Sequence, residues 1–285
     1  MPEYAGRGDA ARTMELLWRD GGRDGGRPAD GRAADSRPAD GRPDPGNGET
    51  ASRRPPGPRP ALDLDRVLDA AIAVADQEGT LAFSLRAVGD QLGTSAMALY
   101  SYVPGKAELV DLMYDRVFAE HPGATRDAAD ADWREGVLAW AEALLGVLIA
   151  HPWAIAVSTA RPVLGPNEQA VLESLLELLD AGRLPRRTVR TVVTSVFALV
   201  RAAAEALADA RQAAWATGAD DAAWWSGRSA ALASAVQDFA ERFPLSAQLA
   251  RDAAADAALA GDAAPWERAP VDALRNGIGL LLASA

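Results

Sequence analysis

The side chains that most often carry catalysis or bind metals are scarce in this chain of 285 residues. There is no cysteine, the only histidines are His121 and His151, and the only lysine is Lys106. Thiolate nucleophiles and zinc or iron–sulfur sites with cysteine ligands are therefore excluded. Lys106 is followed by Ala107, so the Walker A motif for phosphate binding is also absent. We predict no catalytic residue, no metal site and no cofactor, since an enzyme would have only carboxylates and arginine to work with.

The sequence pattern of residues 62 to 103 predicts a helix-turn-helix. A first amphipathic helix starts at Leu64, with Asp63 as its N-cap and Gly79 as its C-cap. A second, short helix follows Ser84, and Gly93 ends it in a tight turn. Ser95 is typical of the N-cap of a third helix at 96–102, and a fourth helix is expected at 106–120. The second helix of such a close pair is the one that enters the DNA major groove.

The stretch from Ser84 to Met113 closely resembles the N-terminal domain of the tetracycline-repressor (TetR) family. The most distinctive parts are the Leu-Gly turn at 92–93, the Ala-Leu-Tyr-x-Tyr-Val segment at 98–103 and Gly-Lys-x-Glu-Leu at 105–109. The resemblance covers about residues 62 to 120. It implies an all-α protein with an N-terminal three-helix DNA-binding domain and a larger helical domain for ligand binding and dimerisation.

The resemblance assigns roles to individual positions in this module. Leu99 and Val103 are expected in the core. An alternative is that Tyr100 and Tyr102 only cover that core and that Arg86 is an ordinary solvated helix residue. The residues expected to face DNA are Ser84, Arg86, Ser95, Ala96, Met97, Ala98, Tyr100, Ser101, Tyr102 and Lys106.

Charge is distributed in a way that limits how this chain could bind nucleic acid. The net charge is −11, which argues against a general nucleic-acid coat protein. Residues 61 to 121 contain 4 basic and 10 acidic side chains, a net charge of −6, yet the segment from 91 to 107 has no acidic residue. We expect a neutral-to-basic DNA face on an acidic body, assisted by Arg53, Arg54 and Arg59 from the preceding segment.

The chain divides into three parts by composition. Residues 1–60 are rich in Arg, Gly, Pro and Asp and are predicted to be a disordered arm. Its one apolar patch, residues 14–18, is either the true translation start at Met14 or a short docking segment. Residues 61–121 form the DNA-binding domain. Residues 130–285 form the helical domain, with helices expected near 132–150, 152–160, 166–181, 186–216, 220–242, 246–260 and 266–284.

Two functions are predicted for the C-terminal part. The apolar stretch from Val271 to Leu282 and a second apolar face are candidates for a dimerising helix bundle, and the second face consists of Val192, Val193, Val196, Leu199 and Val200. Aromatic side chains with a few polar groups are typical of a ligand pocket. For His151, the alternative is a charge partner at a helix end. The predicted pocket residues are Trp140, His151, Trp153, Arg161, Thr194, Phe197 and Trp224.

The segments at 151–153, 161–162 and 165–167 are similar to the C-terminal domain of tetracycline-repressor-type regulators. The expected function is a homodimeric transcriptional repressor that a small-molecule effector releases from a palindromic operator, with half-sites about 34 Å apart. Alternatives are an activator of the same fold, or a helical ligand-binding protein or carboxylate enzyme without DNA affinity. The most apolar run, 137–157, is interrupted by Glu142, His151 and Pro152, so we expect no membrane segment and a cytoplasmic protein.

Overall fold

The computed structural model describes residues 3–4, 7–19, 62–79, 82–123, 132–158, 161–260 and 265–284. These residues form an all-α protein, as predicted, with one 3₁₀ helix at Pro152–Ala156 and one parallel pair of two-residue strands, β1 (Glu3–Tyr4) and β2 (Val157–Ser158). The α helices are α1 Ala10–Leu17, α2 Leu64–Glu78, α3 Leu85–Leu92, α4 Ala96–Leu99, α5 Lys106–Phe118, α6 Trp133–Ala150, α7 Pro166–Ala181, α8 Arg186–Thr217, α9 Asp221–Ala235, α10 Phe239–Arg242, α11 Pro244–Ala260 and α12 Pro265–Ala283.

The expected helix-turn-helix is present in α2 to α4. The side chains of Asp63 and Ser84 accept backbone N–H groups at the starts of α2 and α3, and Gly93 ends α3 with φ +66°. Helix α4 is shorter than the predicted 96–102. Its last residues continue as a tighter turn, in which the N–H of Tyr102 donates to the carbonyl of Leu99 at 2.9 Å.

Helices α6, α7, α8 and α12 enclose the core of the C-terminal part. The predicted dimer faces are largely used within the chain: Val192, Val196 and Val200 on α8 are buried, and so are Leu274 and Ile278 on α12. Helices α8 and α12 pack on each other in one chain. These contacts lie within one chain, so the role of the two helices in an intersubunit bundle stays a prediction.

Two of the predicted helices are interrupted. The helix expected at 152–160 is a 3₁₀ helix that gives way to β2, because Val157 and Ser158 adopt extended backbone and pair with β1. The helix expected at 220–242 is divided into α9 and α10, since the backbone becomes extended at Val236 (φ −131°, ψ 81°).

The N-terminal segment contains an ordered helix, which the predicted disorder of 1–60 did not include. Helix α1 buries Thr13, Leu16 and Leu17 and packs on α5. Its apolar side chains lie on one face, so eight residues bury enough surface to dock although the surrounding composition is polar. Residues 20–60 of the predicted arm, including Arg53, Arg54 and Arg59, lie outside the described residues.

One helix of the described ranges, Arg186–Thr217, is long and apolar enough to cross a membrane by length and composition alone. It is α8, not the run at 137–157 that the sequence singled out. Its apolar side is occupied by other helices, because α8 packs on α6 and α12 and buries Val192, Val196 and Val200.

Candidate DNA-binding surface and ligand cavity

Helix α4 presents an exposed surface because two apolar side chains anchor it from below. Leu99 and Val103 are buried, together with Phe83 and Val88 of the preceding helix region. On the outer side, Met97 is 77% exposed. A methionine this exposed gains nothing from folding and is available to contact the methyl groups of thymine.

Of the other predicted DNA-facing residues, some extend into solvent and others form local hydrogen bonds within the module. Tyr100 is 51% exposed, and the Arg86 side chain lies in solvent with a long ion pair of 3.9 Å to Asp90. Ser84 and Ser95 are exposed but act as helix caps, and Ser101 donates its hydroxyl to the carbonyl of Ala98 at 2.8 Å. Ala96 and Ala98 are partly exposed on the same helix.

Tyr102 and Lys106 are engaged inside the domain. The Tyr102 hydroxyl donates to the carbonyl of Leu62 at 2.9 Å, and its ring packs on the core. The Lys106 ammonium lies 4.7 Å from the centre of the Phe83 ring. The prediction that Tyr102 faces DNA is therefore corrected for its hydroxyl, which ties α4 to the start of α2.

A cavity of about 720 Å³ lies in the C-terminal part, between α5, α6, α7 and α8. Most of its wall is apolar, and a small number of polar groups interrupt it, which is the composition typical of a small-molecule site. The apolar lining includes Phe118, Leu144, Leu148, Leu164, Leu172, Val193 and Phe197, and the polar lining is Tyr114, Glu168, Gln169, Thr194, Arg201 and Glu205.

The polar groups of the cavity differ in their environment. Burial raises the pKa of the Glu168 carboxyl above its ordinary value, and Asp115 and Asp111 add to the shift. Burial also raises the pKa of the Tyr114 hydroxyl, with a further contribution from Glu168. The tyrosine therefore stays protonated and can donate a hydrogen bond into the cavity.

Arg201 is held rigidly at one side of this cavity. Its guanidinium donates to the backbone carbonyls of Ile155 and, at 3.1 Å, Val157, and to the Glu205 carboxylate at 2.9 Å. These bonds neutralise the arginine locally and attach α8 to the 3₁₀ helix and β2. The role of Arg201 in the cavity is therefore mainly structural, because its guanidinium is already bound by Glu205 and two backbone carbonyls.

Two of the seven predicted pocket residues, Thr194 and Phe197, line this cavity. Trp140 is one layer behind it: its ring meets Phe197 edge-on at 5.3 Å between centres, and its indole N–H donates to the Ser174 hydroxyl at 2.9 Å. A fully buried indole needs such a partner. We therefore reassign Trp140 from the cavity wall to its supporting core.

His151 and Trp153 lie at the junction between the two parts of the chain instead of in the cavity. Both ring nitrogens of His151 face carboxylates, Nδ1 at 2.9 Å from Asp76 of α2 and Nε2 at 3.1 Å from Glu120. The Trp153 indole donates to the same Asp76 at 2.7 Å. These contacts correspond to the alternative interpretation of His151 as a charge partner at a helix end, and they correct its assignment to the pocket.

The remaining two pocket predictions are also placed elsewhere. Arg161 is exposed on the connection between β2 and α7. Trp224 is 43% exposed on α9, where it meets Trp225 edge-on and lies under the Arg228 guanidinium. Neither lines the cavity, because α9 extends away from the core that encloses it.

The sequence did not single out three of the polar cavity residues, Tyr114, Glu168 and Arg201. They come from α5, α7 and α8, so only the packed fold brings them together. A partial signal is the start of the helix that the sequence predicts near 166–181. That start is bound by Asp115, whose Oδ1 accepts the N–H groups of Asn167 at 3.0 Å and Glu168 at 2.9 Å.

Asp115 therefore fixes α5 to the N-terminus of α7. Its other oxygen accepts the side-chain amide of Asn167 at 2.9 Å. Burial raises the pKa of the Asp115 carboxyl, while these hydrogen bonds act against the rise. The cavity wall at Glu168 is thus attached directly to the helix that continues from the DNA-binding module.

Comparison with known proteins agrees with this geometry. Residues 67–113 match the model for "Bacterial regulatory proteins, tetR family", and residues 127–264 match "Tetracyclin repressor-like, C-terminal domain". The HTH-type transcriptional repressor DrrR1 of Streptomyces coeruleorubidus is 35% identical over 252 residues, covering 88% of this chain and 80% of that protein. The chain belongs to the TetR family.

Solved structures support the same fold for this TetR-family chain. ActR from Streptomyces coelicolor, a TetR family protein, in complex with (S)-DNPA is 25% identical, with a TM-score of 0.56, and the match covers 79% of this chain and 98% of that one. ActR in complex with actinorhodin matches with 24% identity, a TM-score of 0.59, and coverage of 80% and 98%. The chain is a transcriptional repressor of this family and not an enzyme, which confirms the predictions of family, fold class and absence of catalysis.

Proposed function

We propose that this TetR-family repressor is a homodimer that binds a palindromic operator and that an organic small molecule, bound in the 720 Å³ cavity, releases it. The observation that carries the proposal is the course of α5. Helix α5 begins at Lys106, next to α4, the helix expected to enter the DNA major groove. It supplies Tyr114 and Phe118 to the cavity wall. One rigid element therefore belongs to both sites.

The placement of α5 gives a physical route for release. A ligand that contacts Tyr114 or Phe118 acts on the helix that sets the position of the DNA-binding module. It changes the equilibrium only by its different affinity for the DNA-bound and free arrangements. Because Asp115 binds the N-terminus of α7, a shift of that helix also reaches α5.

The cavity favours a mostly apolar ligand with a few hydrogen-bonding groups. Phe118, Phe197 and the leucines of α6 offer flat apolar contacts, and Tyr114 and Thr194 offer hydroxyls. We propose a hydroxylated or carbonyl-bearing ring compound as the effector class. The ligands in the two ActR complexes, (S)-DNPA and actinorhodin, support a small molecule as the effector of this chain.

A second copy of the chain is the partner that we propose for the exposed apolar surface. Among the described residues, several large apolar side chains lie mostly in solvent. A monomer seldom leaves this much apolar surface uncovered. A twofold dimer would cover it and would present two α4 helices to half-sites about 34 Å apart. The side chains concerned are Trp215, Trp225, Leu245, Leu249 and Leu280.

We further propose residues 61–121 as the DNA-binding domain and residues 130–285 as the effector and dimerisation domain. The family models match within or close to these limits, at 67–113 and 127–264. A repressor acts where the chromosome is, so we propose a cytoplasmic location without membrane attachment.

Fluorescence anisotropy with duplex DNA from upstream of the protein's own gene tests the proposal. We expect saturable binding by a dimer, and Arg86→Gln should weaken it about fivefold or more because one groove or phosphate contact is lost. Arg134→Gln, at an exposed arginine of α6, is the matched control and should bind as the parent does. Actinorhodin is the first probe for release.

Three outcomes of this experiment would contradict the proposal. They are a monomer at high concentration in light scattering, no affinity for any upstream duplex at low salt, or equal losses for Arg86→Gln and Arg134→Gln. Tight ligand binding without DNA affinity would favour the alternative of a ligand-binding protein.

A further inference from the structure

The proposed repressor function assigns no role to helix α1. It is fixed at its start, where the Asp9 side chain accepts the N–H of Arg12 at 2.9 Å and the Asp9 N–H donates to Glu108 of α5 at 3.1 Å. Leu16 and Leu17 are buried against the body of the chain. The helix is therefore attached along its length to the element that joins the two sites.

The end of α1 contacts the cavity wall from outside. The indole N–H of Trp18 donates to the carbonyl of Leu164 at 3.1 Å. Leu164 lines the cavity and has a positive φ of 61°, which a leucine seldom adopts. Its N–H donates to the Glu168 carboxylate at 2.6 Å. Trp18 and Glu168 thus hold the strained residue from opposite sides.

The next residue, Arg19, contacts the DNA-binding module. Its guanidinium lies 2.7 Å from the carboxylate of Asp65 in the first turn of α2. Asp65 is shared with Arg116 of α5, at 3.4 Å. Two consecutive residues of the N-terminal segment therefore bind the cavity wall and the DNA-binding module.

We propose that α1 is a strap that couples the cavity wall to the DNA-binding module, with Trp18 as a positioning residue for Leu164 and Arg19 as the attachment to α2. The proposal rests on the proposed function in one respect, namely that the cavity is the effector site. A ligand that displaces Leu164 displaces the Trp18 indole bonded to its carbonyl, and the indole transmits the shift to the Trp18 backbone. Because Arg19 follows directly, the displacement is passed to Asp65 and the start of α2.

Hydrogen–deuterium exchange of the full chain, without DNA or ligand, tests this coupling. Trp18→Phe keeps an aromatic ring at this position but removes the indole N–H that donates to Leu164. Backbone amides of residues 161–169 should therefore exchange about fivefold faster. The strap predicts that amides in 64–71, across the junction, also exchange at least about twofold faster. Arg19→Gln should give the reciprocal result, a direct effect in 64–71 and an indirect effect in 161–169.

The matched control is Arg12→Gln on the same helix, because within the described part of the chain the Arg12 side chain pairs with Glu15 of α1. It should leave both segments unchanged. If each substitution at 18 and 19 affects only its own side, α1 is merely attached and the coupling is refuted. Arg19→Gln lies at a partly exposed site, so it remains informative if Trp18→Phe folds poorly. Exchange needs no operator or effector, so its outcome is separate from the test of repressor function.

Discussion

Gly89 lies where α3 crosses the start of α4, and its replacement by alanine tests the geometry of the DNA-binding module. A Cβ atom at this position would be 2.8 Å from the carbonyl oxygen of Thr94, 3.2 Å from the N atom of Ala96 and 3.3 Å from the carbonyl carbon of Ser95. All three are backbone atoms, so no side-chain rotation relieves the contact. The Gly89 carbonyl also accepts the N–H of Thr94 at 2.9 Å, which fixes the turn.

Two opposite contributions decide the magnitude of the effect of Gly89→Ala. Alanine in a helix interior is more stable than glycine by about 1 kcal/mol. Overpacking against an unyielding neighbour costs about 1–3 kcal/mol. We therefore expect a net decrease of about 1 kcal/mol in the free energy of unfolding and, because α4 must move by a few tenths of an ångström, a loss of operator affinity of about fivefold or more.

The assay compares thermal unfolding by circular dichroism with operator binding by anisotropy. Gly146→Ala is the control, because Gly146 lies inside α6 and a Cβ there meets no atom within 4 Å. It should raise Tm by about 2–4 °C and leave DNA affinity unchanged. Gly89→Ala should lower Tm by a similar amount. Equal stabilisation by both substitutions, with full DNA affinity, would refute the close crossing of α3 and α4.

Three further substitutions test other parts of the molecule. The pKa of the Glu168 carboxyl is raised in the folded state, so the free energy of unfolding falls as pH rises above the ordinary value of 4.5. Glu168→Gln removes this carboxyl, and calorimetry at pH 5 and 7 should show a smaller loss of stability between the two pH values than in the parent. Glu173→Gln, at an exposed position, is the control and should show the same loss as the parent. Trp140→Phe leaves the Ser174 hydroxyl without its indole donor and should lower the free energy of unfolding, measured with urea, by about 1–2 kcal/mol. An unchanged free energy of unfolding would contradict the assigned hydrogen bond. Leu245→Arg puts a charge on the exposed apolar surface, and ultracentrifugation should show a weaker dimer with unchanged helix content; an unaltered dimer would place the interface elsewhere.

Features determined by neighbouring residues could be predicted from the sequence. Asp63, Ser84 and Ser95 cap their helices as expected, because a cap depends on a side chain and the backbone two or three residues away. Gly79 and Gly93 end their helices with positive φ for the same local reason. The DNA-binding module is therefore the part of the chain in which prediction and structure agree most closely.

The cavity depends on contacts between distant segments, and five of the seven predicted pocket residues lie outside it. Tyr114, Glu168 and Arg201 converge from three helices, and no local pattern relates them. Large aromatic residues were a poor guide, since Trp140 and Trp153 satisfy their indole groups in the core and at the junction. Residue type indicates that a side chain prefers burial but not which cavity, core or interface provides it.

Helix α1 was missed for a different reason. The composition of 1–60 is polar when averaged, and the average concealed the apolar face of Ala10–Leu17. A docking segment is one of the two interpretations of the apolar patch at 14–18. The chain that follows α1, residues 20–61, lies outside the described residues.

The chain has a single lysine, and Lys106 lies at the beginning of α5 over the ring of Phe83. Amine-reactive dyes and cross-linkers therefore have one side-chain target in the whole sequence, situated beside the recognition helix. A fluorophore attached there would report operator occupancy without engineered labelling sites. Acylation of this amine also removes a positive charge from the segment 91–107, so the labelling reagent itself would measure how much that charge contributes to holding DNA.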